Sequence, residues 1–175
     1  MQRLQTFRGL TMRSRIGGLL AFILCLVLVV AGIYCLAIPQ QKVLNADVEV
    51  KAFHIWQHTF IECKPGDQLD IDADGNWKVE QFQPEQQVQV DPLGYLDQPK
   101  ADAEYAVPDV PRGALVGRVG SRKFLVGESA HLKIRDGEGG ELRLCSNTKM
   151  PRENRENQFK MNRGVLRVHV RLTRT

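Results

Sequence analysis

Two patterns of hydrophobicity divide the chain. From Ile16 to Ile38 no residue carries a charge, and the run is almost wholly apolar over 23 residues. At about 1.5 Å of rise per residue this is a helix of about 34 Å, long enough for a hydrocarbon core of about 30 Å. A helix of a small soluble domain keeps a polar face, and this one has none. Pro39 ends the run, and residues 39–51 read as a polar linker. From residue 52 onward the apolar positions come in short runs at every second place, which is the period of a strand with one dry face.

The alternation predicts individual strands. Phe60-to-Cys63 and Leu69-to-Ala73 flank Lys64-Pro65-Gly66-Asp67, a type II turn sequence, so the two are expected to pair as a hairpin. Asp74-Gly75 is expected to make the next turn. Residues 81–111 are polar and contain Pro84, Pro92, Pro99, Pro108 and Pro111, which argues against a central strand or a helix and leaves a binding loop or partial disorder. Ala114–Val119, Phe124–Val126, His131–Arg135 and Glu141–Ser146 follow as strands, the last two around the flexible Asp136-Gly137-Glu138-Gly139-Gly140 turn. After a second polar loop, 147–163, Leu166, Val168, Val170 and Leu172 alternate with Arg167, His169 and Arg171 in the strictest pattern of the chain. Seven or eight short strands with no helix among them predict an all-β sandwich or jelly roll over 52–175, preceded by one transmembrane α-helix.

Charge orients that helix. Arg3, Arg8, Arg13 and Arg15 precede it without an acidic residue, whereas Lys42, Asp47, Glu49 and Lys51 balance after it. Positive flanks stay inside, which makes 1–15 a cytoplasmic tail and 16–38 a signal anchor in the plasma (inner) membrane, with the β domain in the periplasm or outside the cell. A cleaved signal peptide, the competing reading, usually has an apolar region of only about 7–15 residues. The exported part is electrically lopsided: 39–110 carries 5 basic and 14 acidic residues, and 111–175 carries 15 basic and 6 acidic. Facing strands that complement one another explain this, and a basic surface for an anionic partner is the alternative. Nucleic acid is not an expected partner outside the cytoplasm.

Cys25 and Cys35 fall in the apolar segment, where cysteine behaves as a small apolar residue. Cys63 and Cys145 each end a predicted strand in a compartment that permits disulfides; a bridge would contribute about 4 kcal/mol, and the sequence leaves it open.

Few constellations carry chemistry. Asp70-Ile71-Asp72-Ala73-Asp74-Gly75 mimics the start of a calcium loop, but Gln81 stands where the bidentate Glu belongs, so a strand with an acidic outer face is the better reading. His54 and His58 have zinc-ligand spacing only on a helix, and their surroundings alternate like a strand. Ser129 lacks the glycines of a nucleophile elbow. No catalytic residue is assigned, and the chain does not read as an enzyme. Trp77, Phe82, Tyr95 and Tyr105 in or near the Pro-rich loop either cap the core or form a platform for sugar or protein contacts.

Several ordered strings resemble the galactose-binding PA-IL-type bacterial lectins. Cys63-Lys64-Pro65-Gly66-Asp67-Gln68-Leu69-Asp70-Ile71-Asp72-Ala73-Asp74-Gly75-Asn76-Trp77 is similar to their early hairpin. Arg112–Gly120 with Phe124–Gly127 is similar to their central strand pair, and Gly139–Leu144 with Asn162–Val168 to their last two strands. The resemblance covers roughly residues 52–172 and implies a galactose-binding-like jelly-roll β-sandwich. It also implies a sugar and calcium site at one end, built from two residue pairs and the Pro-rich loop. Here those pairs read Asn147-Thr148 and Met161-Asn162, each lacking one ligand and neither holding a carboxylate. The expected site is therefore degraded: no metal, or weakly held calcium, with Asp97, Gln98, Asn147, Thr148 and Asn162 lining a glycan site. The alternative is a structural or assembly subunit that offers the sandwich to an envelope protein partner.

Overall fold

In β9, Arg163–Arg174, the strict alternation of the sequence becomes a buried row: Leu166, Val168, Val170 and Leu172 are each at most 1% exposed, while Arg167, His169 and Arg171 face solvent. This strand is the axis of the first of two antiparallel sheets. The computed structural model describes residues 24–28, 41–80, 87–97, 99–150 and 162–174. Contacts divide the chain into residues 1–40 and 41–175. In the first unit 24–28 are helical; the rest of the expected span Ile16–Ile38 lies outside the described residues. Among the described residues no helix is long and apolar enough to cross a membrane.

The second unit is an all-β sandwich. Its first sheet has the order β1-β9-β3-β4, with β1 at Lys42–Lys51, β3 at Gln68–Glu80 and β4 at Gln87–Val90. Strand β7, Ser129–Lys133, pairs with the first half of β3. The second sheet has the order β2-β8-β5-β6: Gln57–Cys63, Gly140–Ser146, Leu115–Val119 and Arg122–Leu125. Between them lies one core in which Leu69, Ile71, Trp77, Leu115, Leu142 and Leu144 are almost wholly inaccessible.

Three expectations need correction, and one question that the sequence leaves open is answered. The stretch 42–51, expected as linker, is β1, pairing along its whole length with β9 and burying Val50. Its sequence does alternate, Leu44, Ala46, Val48 and Val50 against Asn45, Asp47 and Glu49, but only Val50 of that row is fully buried. The Lys64–Asp67 turn forms as expected, with Gly66 at φ 93° and the Asp67 amide donating to the Lys64 carbonyl at 3.0 Å. It does not close a hairpin: β2 lies in one sheet and β3 in the other. Asp74-Gly75 does not turn the chain either, since β3 continues in register with β9 from Gln68 to Lys78. Finally, Cys63 and Cys145 are both buried free thiols, and they lie on opposite faces of the second sheet, Cys63 in the main core and Cys145 in a smaller outer cluster. No rotamer can bridge a sheet. Burial pushes both thiols up to about 12. Neither should react with iodoacetamide at neutral pH until denaturant is added, which mass spectrometry of the folded and unfolded chain will read.

The lopsided charge resolves on the outer face of the first sheet. Asp70, Asp72 and Asp74 point outward from β3 and stand opposite Arg171, His169 and Arg167 of β9. On the other flank Asp47 and Glu49 of β1 stand opposite His169 and Arg167, with His169 Nδ1 at 2.8 Å from Asp47. The acidic and basic halves of the sequence are thus cross-strand partners, each pair contributing a few tenths of a kcal/mol, roughly 0.2–1. This also disposes of the calcium-loop likeness: the three aspartates sit along a straight strand and do not converge.

His131 of β7 extends the pattern, with Nδ1 at 2.9 Å from Asp70. Its hydrogen bond to Asp70 holds its pKa above the ordinary value, a little offset by desolvation. A raised folded-state pKa means that the contribution is fully present below the ordinary histidine range and is lost as pH rises through the folded value. NMR titration should give His131 an elevated midpoint, and Asp70→Asn should return it to the ordinary range. A midpoint unmoved by that substitution would refute the pairing.

Candidate binding site at the loop end

The end of the sandwich where β3 leaves and β9 enters is closed by the long Pro-rich loop and by the segment after β8. Sequence alone leaves this loop between a binding loop and disorder; the described part, 91–97 and 99–114, is tightly braced. Leu115 donates its amide to the Pro92 carbonyl at 2.8 Å, Tyr95 to that of Arg112 at 2.8 Å, and Ala101 to that of Val110 at 3.0 Å. The loop also carries its own apolar residues. Ala106 and Val107 fold over the outer face of the second sheet onto Trp56, Val116 and Cys145, forming a second small core. Arg118 and Lys123 lie over the Trp56 ring at 5.0 and 5.6 Å.

Asn147 is the pin of this arrangement. It is fully buried at the end of β8. Its Oδ1 accepts the Val107 amide at 2.9 Å, and its Nδ2 donates to the carbonyls of Val107, Val110 and Pro111 at 3.0, 3.3 and 3.1 Å. Its backbone continues the lock, accepting the Gly113 amide at 2.8 Å and donating to the Ala114 carbonyl at 2.7 Å. One side-chain amide therefore organises three loop carbonyls and one loop N–H, a set no hydrocarbon side chain can replace. Asn162, 2% exposed, donates to the Ala52 carbonyl at 3.3 Å and ties the start of β9 to the end of β1.

The five residues expected to line the site divide accordingly. Asn147 and Asn162 are buried and hold backbone. Thr148 is half-buried beside Asn147; its carbonyl accepts the Ala106 amide at 3.1 Å. Asp97 is exposed on the loop after β4, and among the described residues no hydrogen bond joins it to the other three. Gln98 lies outside the described residues, as do Phe82 and Met161.

Sequence reasoning does not foresee the cluster that forms around Tyr105, beside Thr148. Tyr105 forms an isolated β-bridge with Lys149; the Arg112 guanidinium lies 5.2 Å and the Lys149 ammonium 5.9 Å from its ring centre. Lys149 pairs with Glu104 at 3.0 Å. Burial pushes the Tyr105 hydroxyl up, against the opposing pull of the two cations, so it stays a neutral donor and acceptor. The signal is present in the sequence only as four residues, Glu104, Tyr105, Arg112 and Lys149, whose approach depends on the loop path. Trp77, by contrast, is core: it is 1% exposed, and its indole N–H donates to the Gly113 carbonyl at 2.9 Å.

These residues do not fit calcium. The side-chain oxygen of Asn147 already accepts an amide proton, Thr148 offers only a hydroxyl, and among the described residues no three His, Cys, Asp or Glu side chains converge.

No family model matches the chain, and no curated protein matches it. Among solved structures it is similar to the EclA N-terminal domain, a PllA-like lectin: 21% identity, a TM-score of 0.50, and coverage of 71% of this chain and 92% of that one. At that identity the likeness speaks for the fold, a lectin-like β-sandwich.

Proposed function

We propose that this chain is a membrane-tethered, non-enzymatic carbohydrate-binding module whose sandwich is of the galactose-binding-like jelly-roll type. In this reading Ile16–Ile38 anchors it, the arginine-rich tail stays in the cytoplasm, and residues 41–175 work outside. The observation that carries the binding role is the preorganised loop end. Asn147 fixes the Pro-rich loop against the sandwich, and Tyr105, Arg112, Lys149 and Glu104 gather next to Thr148, giving neutral hydroxyls and charged groups. Such groups bind sugar hydroxyls without a metal, and their rigidity lowers the ordering cost of binding. An enzymatic reading gains nothing from Cys63 or Cys145, which are buried with thiols at about 12.

A glycan array probed with the full chain in detergent, with and without chelator, tests this. The expected result is binding that chelation leaves unchanged and that Thr148→Ala weakens. Binding lost on chelation would overturn the metal-free mechanism, and an array with no bound glycan in either condition would overturn the carbohydrate role in favour of a protein-assembly subunit.

A further inference from the structure

Phe60 is the most exposed large apolar residue described, at 87%, and it stands in β2 with φ at 61°. Left-handed backbone is rare for a bulky aromatic, because its Cβ crowds the carbonyl. The conformation is imposed by a bulge: the pairing of β2 with β8 slips between His58, opposite Arg143, and Glu62, opposite Glu141. Within that bulge Glu141 does the holding. Its Oε1 accepts the Phe60 amide at 3.1 Å, and its Oε2 lies 2.7 Å from His58 Nδ1 and 3.1 Å from Arg143 Nε. Desolvation raises the Glu141 pKa, but the Phe60 amide, His58 and Arg143 together outweigh it, so the carboxyl stays ionised. The His58 ring stacks on Phe60 at 26° and 6.1 Å between centres.

We infer that this bulge is a second carbohydrate contact, in which the open face of Phe60 stacks against the C–H face of a pyranose while Glu141, Arg143 and His58 engage its hydroxyls. Strained backbone that displays one side chain to water marks a function more often than a defect. The surroundings select the ligand. A hot spot for a protein partner sits within an apolar, desolvated patch. Here the neighbours on the same face are His58, Glu62, Glu141 and Arg143, a ring framed by charge. An aromatic face beside a carboxylate and a guanidinium offers what a sugar ring presents, one apolar face rimmed by groups that both donate and accept. The opposite half of this sheet face is covered by the protein's own Ala106 and Val107, so the exposed half is bounded and shaped.

The inference rests on the carbohydrate-binding reading but not on the loop-end site. Saturation-transfer NMR of the full chain in detergent, with methyl galactoside, methyl glucoside and methyl mannoside as probes, separates the two. With the loop-end site weakened by Thr148→Ala, the expected result is residual transfer to ring C–H protons of at least one probe, which falls several-fold when Phe60→Ala or Glu141→Gln is added. Loss in Thr148→Ala with no change in Phe60→Ala would overturn this inference and leave the loop-end site standing. No transfer from the wild type to any probe would overturn both. Phe60→Gly supplies a control for folding: it relieves the left-handed residue, so it should melt no lower than the wild type while still losing that residual transfer.

Discussion

Asn147→Ala is expected to lower the stability of the sandwich by about 3 kcal/mol, from buried groups each worth roughly 1 kcal/mol when bonded and more when left unpaired. The substitution strands the buried Val107 amide and carbonyl and takes one partner each from the carbonyls of Val110 and Pro111, which keep the amides of Ala101 and Ala114. In a domain of this size that corresponds to a fall in Tm of about 10 °C. Glycan binding at the loop end should disappear with it, because the loop that carries Tyr105 loses its registration. Asn147→Asp separates charge from shape. It keeps the acceptor for Val107 but points a carboxylate at three carbonyls, so it should be at least as damaging. Circular dichroism melts of both variants, paired with the array, check this. A Tm within about 2 °C of the wild type, the shift expected of an ordinary surface change, would mean that the loop is held by something else.

The second large effect is expected at Trp77. Trp77→Ala removes the largest fully buried side chain and should cost about 3–5 kcal/mol. It also frees the Gly113 carbonyl, so core and loop end should fail together. Trp77→Phe retains most of the apolar volume but not the indole N–H, and its cost should be about 1–2 kcal/mol, the value of one buried acceptor left unpaired. Gly164 completes the contact. It faces Trp77 across the β3–β9 ladder at φ 103°, and a Cβ there would lie 2.9 Å from the Trp77 Cα. Gly164→Ala should therefore destabilise markedly, and because the atoms it would meet are the Cα and Cβ of residue 77, which alanine keeps, the double variant with Trp77→Ala should cost about the sum of the two. Urea unfolding of the four variants, read by tryptophan fluorescence or circular dichroism, provides the measurement. A double variant much less costly than the sum would mean that the indole, and not the backbone, meets the added Cβ.

Much of the strand content is legible in the amino-acid sequence. Leu166, Val168, Val170 and Leu172, and likewise Leu142 and Leu144, show which faces are dry, because a side-chain period of 2 is a property of the strand itself. The type II turn at Lys64–Asp67 is equally local. Pairing is what the pattern does not carry. A turn sequence between two alternating runs looks the same whether the runs lie side by side or in facing sheets, so β2 and β3 read as a hairpin although they are not one. Strand β1 escapes notice for a related reason: its ladder with β9 joins residues more than a hundred positions apart, and the alternation of Leu44, Ala46, Val48 and Val50 does not say which strand it pairs with.

The candidate site divides along the same line. The resemblance to the galactose-binding lectins, rather than any pattern of the residues themselves, points to Asn147, Thr148 and Asn162 and to the missing carboxylate in their pairs. It does not show that the two asparagines are spent on backbone, since that depends on where the loop carbonyls arrive. Nor does it bring Glu141 to Phe60, which are 81 residues apart. Sequence by itself determined the alternation, the local turns, the uncharged apolar segment and the balance of acidic and basic halves, because each follows from neighbouring residues. Only the tertiary structure decided which strands pair, which thiols lie on which face and which polar side chains remain for a ligand. Those outcomes are set by long-range packing of two sheets, and no short stretch of chain contains them.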